Sequence, residues 1–128
     1  MTRGIAQALL EQAADSPHQE VCGLLLGQGD GHITQVLPAA NVHPRPARFF
    51  EIDPAVLIGA TKAARGGGLQ VLGCYHSHPS GTPAPSATDA AMAARDGKLW
   101  AIVANGVIEW WRDGEMGFEA LSSPVQQG

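Results

Sequence analysis

Apolar and polar positions along this chain follow two periods, and the switches between them divide it into elements. Ile5, Ala6, Leu9, Leu10 and Ala13 recur at helical spacing, with Gln7, Glu11 and Gln12 between them, which predicts an amphipathic helix over residues 4–14. Asp15-Ser16-Pro17 stops it. The apolar run Glu20-Val21-Cys22-Gly23-Leu24-Leu25-Leu26-Gly27 predicts a buried strand. A turn near Gly29-Asp30-Gly31 then leads to a second strand, His32 to Pro38. Asn41 to Arg48 reads as loop, with Pro44 and Pro46, and Phe49, Phe50 and Ile52 suggest a brief strand. Asp53 as N-cap and Pro54 at the first helical position open a helix along Val56, Leu57, Ala60, Ala63 and Ala64. Gly66-Gly67-Gly68 ends it. A phosphate loop would follow a strand and open a helix, whereas this triplet does the reverse, so it reads as a helix stop.

The second half is richer in strands. Leu69 to His78 is an apolar run ending in two histidines. Pro79 to Pro85 contains three prolines and reads as an ordered loop. A helix follows over about Ser86 to Arg95. Trp100–Ala104 and Val107–Trp111 flank an Asn105-Gly106 hairpin turn, and a turn at Asp113-Gly114 leads to a last strand near Gly117–Leu121. These elements make an α/β chain read as one domain over residues 1–121, with a polar tail, 122–128, expected to be flexible.

Composition narrows the classes. Eight basic residues against twelve acidic ones leave a formal charge of −4, and the basic residues are scattered, so a nucleic-acid partner is not expected. No apolar run approaches the roughly 18 residues of a membrane span, and the polar residues of the first helix do not suit a signal peptide. The two cysteines, Cys22 and Cys74, lie in apolar runs with no Cys-x-x-Cys pair, which excludes a zinc ribbon and favours reduced thiols in the cytoplasm.

The candidate chemistry lies in Tyr75-His76-Ser77-His78-Pro79 and Pro85-Ser86-Ala87-Thr88-Asp89. A strand repeats its side-chain direction every second residue, so His76 and His78 leave one face. Cys74 shares that face and could be a further ligand, although packing is the more common role of an apolar cysteine. Ser86 and Asp89 have the form of a helix capping box, yet a helix N-terminus facing the histidines would also aim Asp89 at a cation. Two histidines and one carboxylate leave a tetrahedral zinc one open position, the pattern of a catalytic site. Such chemistry needs a proton carrier, and Glu20, at the mouth of the first apolar strand, is the acidic candidate. Its alternative is a solvated strand flank, and no spacing connects it to His76. His18 and His43 fall in loops. Trp100, Trp110 and Trp111 suit packing, with one of the adjacent pair expected to face outward.

Glu20 before the Cys-Gly-Leu-Leu-Leu-Gly run, then His76-Ser77-His78-Pro79, then Ser86-x-x-Asp89 with ten residues between His78 and Asp89, resembles the JAMM (MPN-plus) zinc metallopeptidases. The likeness runs from about Ala8 to Val107 and includes Phe50-Glu51-Ile52-Asp53-Pro54. It is similar to the small bacterial members that act beside sulfur-carrier proteins. The resemblance implies a JAB1/MPN domain: a mixed, curved sheet flanked by helices, of cytidine-deaminase-like architecture. It implies one catalytic zinc on His76, His78 and Asp89, with Glu20 as general base then acid and Ser86 stabilising the oxyanion. The activity implied is hydrolysis of an amide or isopeptide bond after the C-terminal glycine of a ubiquitin-like or sulfur-carrier protein, one form of it the removal of a cysteine from such a carrier. A non-catalytic, zinc-containing binding module for those carriers is the alternative, and the presence of Glu20 weighs against it.

Overall fold

The computed structural model describes residues 3–122. Its elements in chain order are α1 (Arg3–Asp15), β1 (Cys22–Gly27), β2 (Ile33–Ala39), α2 (Pro54–Arg65), β3 (Gln70–Ser77), α3 (Ala87–Met92), β4 (Leu99–Ala104), β5 (Val107–Gly114) and β6 (Gly117–Leu121). The strands form one sheet in the order β2-β1-β3-β4-β5-β6. Only β3 and β4 run parallel; every other neighbouring pair is antiparallel. The mixed sheet flanked by helices is the arrangement expected from the sequence. The expected flexible tail lies, from residue 123, outside the described residues. Among the described residues no helix is long and apolar enough to cross a membrane.

Strand alternation sorts the core onto two faces. On one, Ile5 and Leu9 of α1 pack against Leu25, Tyr75, Ala101, Val103 and Trp110. On the other, Leu24, Leu26 and Ala60 of α2 form one cluster, and Cys22, Phe50 and Trp100 form a second. Two glycines let the central strands close up. A Cβ on Gly23 would lie 2.5 Å from the Tyr75 hydroxyl, and one on Gly73 would run into the Leu99 carbonyl. The buried Tyr75 then spans β1 and donates to Gln12 Oε1 on α1 at 2.6 Å.

Four local expectations differ. Phe49–Ile52 is not a strand: a single bridge joins Asn41 to Ile52, because the Asn41 side chain takes up the Phe49 carbonyl and the Glu51 amide. The helix expected to reach Arg95 ends at Met92. Despite a helix-favouring run of alanines, Arg95 adopts φ 57° and its amide donates to Asp113 Oδ2 at 3.0 Å. The turn expected at Asp113-Gly114 falls two residues later, at Glu115-Met116 between Gly114 and Gly117, and Asp113 is a buried residue of β5. Neither tryptophan of the adjacent pair faces freely outward, because both sheet faces are covered. Trp110 is in the core beside α1, and half-buried Trp111 packs on the opposite face.

Candidate metal centre and active-site cleft

The C-terminal end of β3 positions two of the site's side chains. His76 is fully buried, stacked on Phe50 (centroids 4.2 Å apart, 17° between planes) and met edge-on by Trp100 at 5.5 Å. These two aromatics fix the ring in two directions. The sequence offered Phe50 only as part of a short strand and Trp100 only as packing. His78, just past the strand, donates Nδ1–H to the Thr82 carbonyl at 2.7 Å. That bond fixes its tautomer and leaves the Nε2 lone pair free. The Pro79–Pro85 loop that supplies the carbonyl is itself tied down: Asn105 Nδ2 donates to Gly81 O at 3.0 Å and Trp111 Nε1 to Pro83 O at 3.1 Å.

The third side chain comes from the first turn of α3. Ser86 Oγ accepts from the Asp89 amide at 3.0 Å, and Asp89 Oδ2 accepts from the Ser86 amide at 2.9 Å, so the capping box is present. The same carboxylate faces the histidines. His76 Nε2 and His78 Nε2 are 3.1 Å apart and lie 3.1 and 3.2 Å from Asp89 Oδ2. Capping and a site-facing carboxylate therefore coexist. Asp89 is only 2% exposed, which puts a carboxylate and two imidazoles in one buried triangle.

The donor set suits a divalent ion. Metal–ligand bonds of about 2.0–2.1 Å in a tetrahedron set neighbouring ligands about 3.3 Å apart, close to the triangle's edges. The protonation states suit it too. Burial holds His76 below the ordinary histidine range, in the neutral form a metal requires. Burial alone would raise Asp89, but the two imidazoles set against its carboxylate outweigh it and hold the carboxyl well below the usual range. For His78, burial is outweighed by its bonds to Asp89 and Thr82, and the net shift is upward. His76 Nδ1 is buried without a partner, so the ring's polar commitment is its Nε2, on the triangle.

Glu20 joins this site through strand register. β1 pairs with β3 so that Cys22 faces His76, and continuing the same register past the strand sets Glu20 across from His78. The residue is 6% exposed and lines a cleft of about 480 Å³ together with His78, Ser86, Arg48 and Phe49. Burial pushes its carboxyl up to about 7; the His78 charge opposes this and the Asp89 charge adds to it. Ser86 is exposed on the cleft wall. Because its oxygen accepts from Asp89, its own proton is free to donate.

The remaining candidates stay apart. Cys74 shares a strand face with His76 but is not among the residues whose ligand atoms converge. It packs beside Cys22, Phe50 and Trp100, and burial raises its thiol far above the normal range. Burial also pushes Cys22 up to about 11. His18 is exposed, and His43 stacks on Phe49 in the loop. Arg48 lines the cleft and has no ion-pair partner among the described residues.

A His-His-Asp triangle, opening to a cleft at the end of the one parallel strand pair, defines an α/β domain built around a candidate metal site. The chain belongs to the prokaryotic homologs of the JAB domain, whose family model matches residues 2–113, and it is thus a small member of the JAMM/MPN family. A desampylase of Haloferax volcanii is 39% identical over 93 residues, 72% of this chain and 67% of the relative. A probable TtuB-protein conjugate cleaving protease of Thermus thermophilus is 42% identical over 67 residues, 52% of this chain and 45% of that protein. The chain thus spans under half of the second relative. A solution structure of a Desulfitobacterium hafniense protein superposes with a TM-score of 0.79 at 30% identity, covering 94% of this chain and 87% of that one. A JAB1/MPN domain protein of Archaeoglobus fulgidus shares the fold, with a TM-score of 0.62 at 22% identity over 98% of this chain and 93% of its own.

Proposed function

We propose that the chain is a zinc-dependent metallopeptidase of the JAMM type. It hydrolyses an amide or isopeptide bond after the C-terminal glycine of a ubiquitin-like or sulfur-carrier protein. The observation that carries this reading is the meeting of the His76–His78–Asp89 triangle with the buried carboxyl of Glu20 in one cleft. The relatives' names, desampylase and probable TtuB-protein conjugate cleaving protease, support the substrate class. Both thiols are free, which fits a reducing cytoplasm.

His76, His78 and Asp89 would hold one zinc ion, which would supply a water of lowered pKa and polarisation of the scissile carbonyl. The protein's own part follows from the cleft. Glu20 takes a proton from the attacking water as the new carbon–oxygen bond forms. It returns that proton to the amine nitrogen as the carbon–nitrogen bond breaks. A carboxyl poised near 7 suits both directions of transfer. The Ser86 hydroxyl donates to the oxygen that gains charge in the tetrahedral intermediate. Stacking on Phe50 and the Thr82 bond keep the two imidazoles from turning. A binding module without turnover would have no use for a buried Glu20.

The test is incubation of the zinc-loaded protein with small carrier proteins extended past their terminal glycine, either by one residue or through a lysine-linked conjugate. Mass spectrometry should find release at the glycine by the wild type and none by Glu20→Gln. Intact substrates throughout, or full activity of the variant, would overturn the reading.

A further inference from the structure

We propose that Asn41 is a positioning residue that sets Glu20 in the cleft and couples it to the cleft wall. The Asn41 side chain makes four hydrogen bonds. Its Nδ2 donates to the carbonyls of Glu20 and Phe49, each at 2.9 Å, and its Oδ1 accepts from the amides of His43 (3.1 Å) and Glu51 (3.0 Å). Two donors face two carbonyls and one oxygen faces two amides, so the orientation of the amide is fixed by its partners.

The loop it closes is compact. Val42 N–H donates to the Glu51 carbonyl at 2.9 Å, and Asn41 bridges Ile52 at the neck. From inside this loop the Pro46 carbonyl accepts the Glu20 amide at 2.7 Å. The backbone of Glu20 is thus gripped on both sides by the 41–52 loop, although it precedes β1 and lies outside that strand's ladders. The same loop carries Arg48 and Phe49 on the cleft wall. A substrate pressing on that wall acts on a body to which the proton carrier is tied at its amide by Pro46 and at its carbonyl by the Asn41 side chain. Asn41 does not reach the reacting atoms; it acts through Glu20.

This inference rests on the reading of Glu20 as the proton carrier, and the test separates the two. Asn41→Asp keeps the oxygen that receives His43 and Glu51 but sets a second oxygen against the carbonyls of Glu20 and Phe49. It should retain zinc, and the His43 and Glu51 amides should keep their protection from hydrogen exchange. Its kcat should fall on the order of 10- to 100-fold with KM little changed. In a Glu20→Gln background the same substitution should change the residual rate no further, since a group acting through Glu20 has nothing left to position. Asn41→Ser, which removes the repulsion, should lie between the two if the aspartate variant folds poorly. Equal losses in both backgrounds, or an unchanged kcat, would overturn the positioning role. Full activity of Glu20→Gln itself would instead overturn the functional reading.

Discussion

Ser77 and Val21 hold each other at two points: the Ser77 amide donates to the Val21 carbonyl at 3.0 Å, and the Val21 amide donates to Ser77 Oγ at 2.9 Å. The residue between the two histidines thus fastens the residue after Glu20. Ser77→Ala strands the Val21 amide in a half-buried place, at a cost of about 1–3 kcal/mol. Chemical denaturation should show that loss. Zinc content should be unaffected, because neither imidazole loses a partner.

Glu20→Gln should bind zinc and lose hydrolysis by roughly 10²–10⁴-fold, the usual weight of a proton carrier. It should also alter the pH dependence of stability in the metal-free protein. A carboxyl raised from 4.5 to about 7 in the folded state favours folding below 4.5, and that contribution is lost as pH rises towards 7. The variant should therefore be more stable than wild type at pH 8, by about 1–2 kcal/mol after allowance for solvent screening, with the advantage gone at pH 4. Melting curves at the two pH values decide it.

Asp89→Asn separates the two duties of that side chain. The amide oxygen can still accept from the Ser86 amide, so helix capping should change by no more than about 1 kcal/mol. Loss of the charge should weaken zinc binding by a large factor, read by competition with a chromophoric chelator. Unchanged zinc affinity would confine Asp89 to capping.

Zinc uptake should release protons, and more at pH 6 than at pH 8. His78 has its proton affinity raised, so the metal displaces a proton from it in acid and from progressively fewer molecules as the pH rises. Calorimetry in buffers of different ionisation heat measures the number released.

Trp111→Phe keeps the packing beside Trp100 and Phe118 but removes the donor to Pro83 O. The expected cost is about 1 kcal/mol, with faster exchange or proteolysis localised to residues 79–85. A uniform loss across the fold would show that the tryptophan acts by packing alone.

Most of the architecture was legible because periodicity and turn residues report it directly: Asp53-Pro54, Asn105-Gly106 and the two-residue spacing of His76 and His78 each sit where local chemistry places them. The capping box was legible for the same reason. What escaped were features set by partners far along the chain. Asp113 ends α3 by taking the Arg95 amide, against the helical propensity of the alanine run. The Asn41 side chain replaces strand pairing at Phe49–Glu51, and no local pattern announces an asparagine with four bonds. The placement of Glu20 beside His78 is a consequence of the β1–β3 register, which the spacing of residues 20 and 78 could not reveal.

α3 is six residues long, too short to be helical by itself, and Asp113 from near the far end of the chain defines where it stops. Asp89 sits in its first turn. Ser86 holds Asp89 from the start of this helix, while Asp113 of β5 takes the amide of Arg95 just beyond its end. The triangle is thus assembled from segments that no short stretch of the chain brings together, so zinc uptake would serve as a readout of tertiary assembly rather than of local structure.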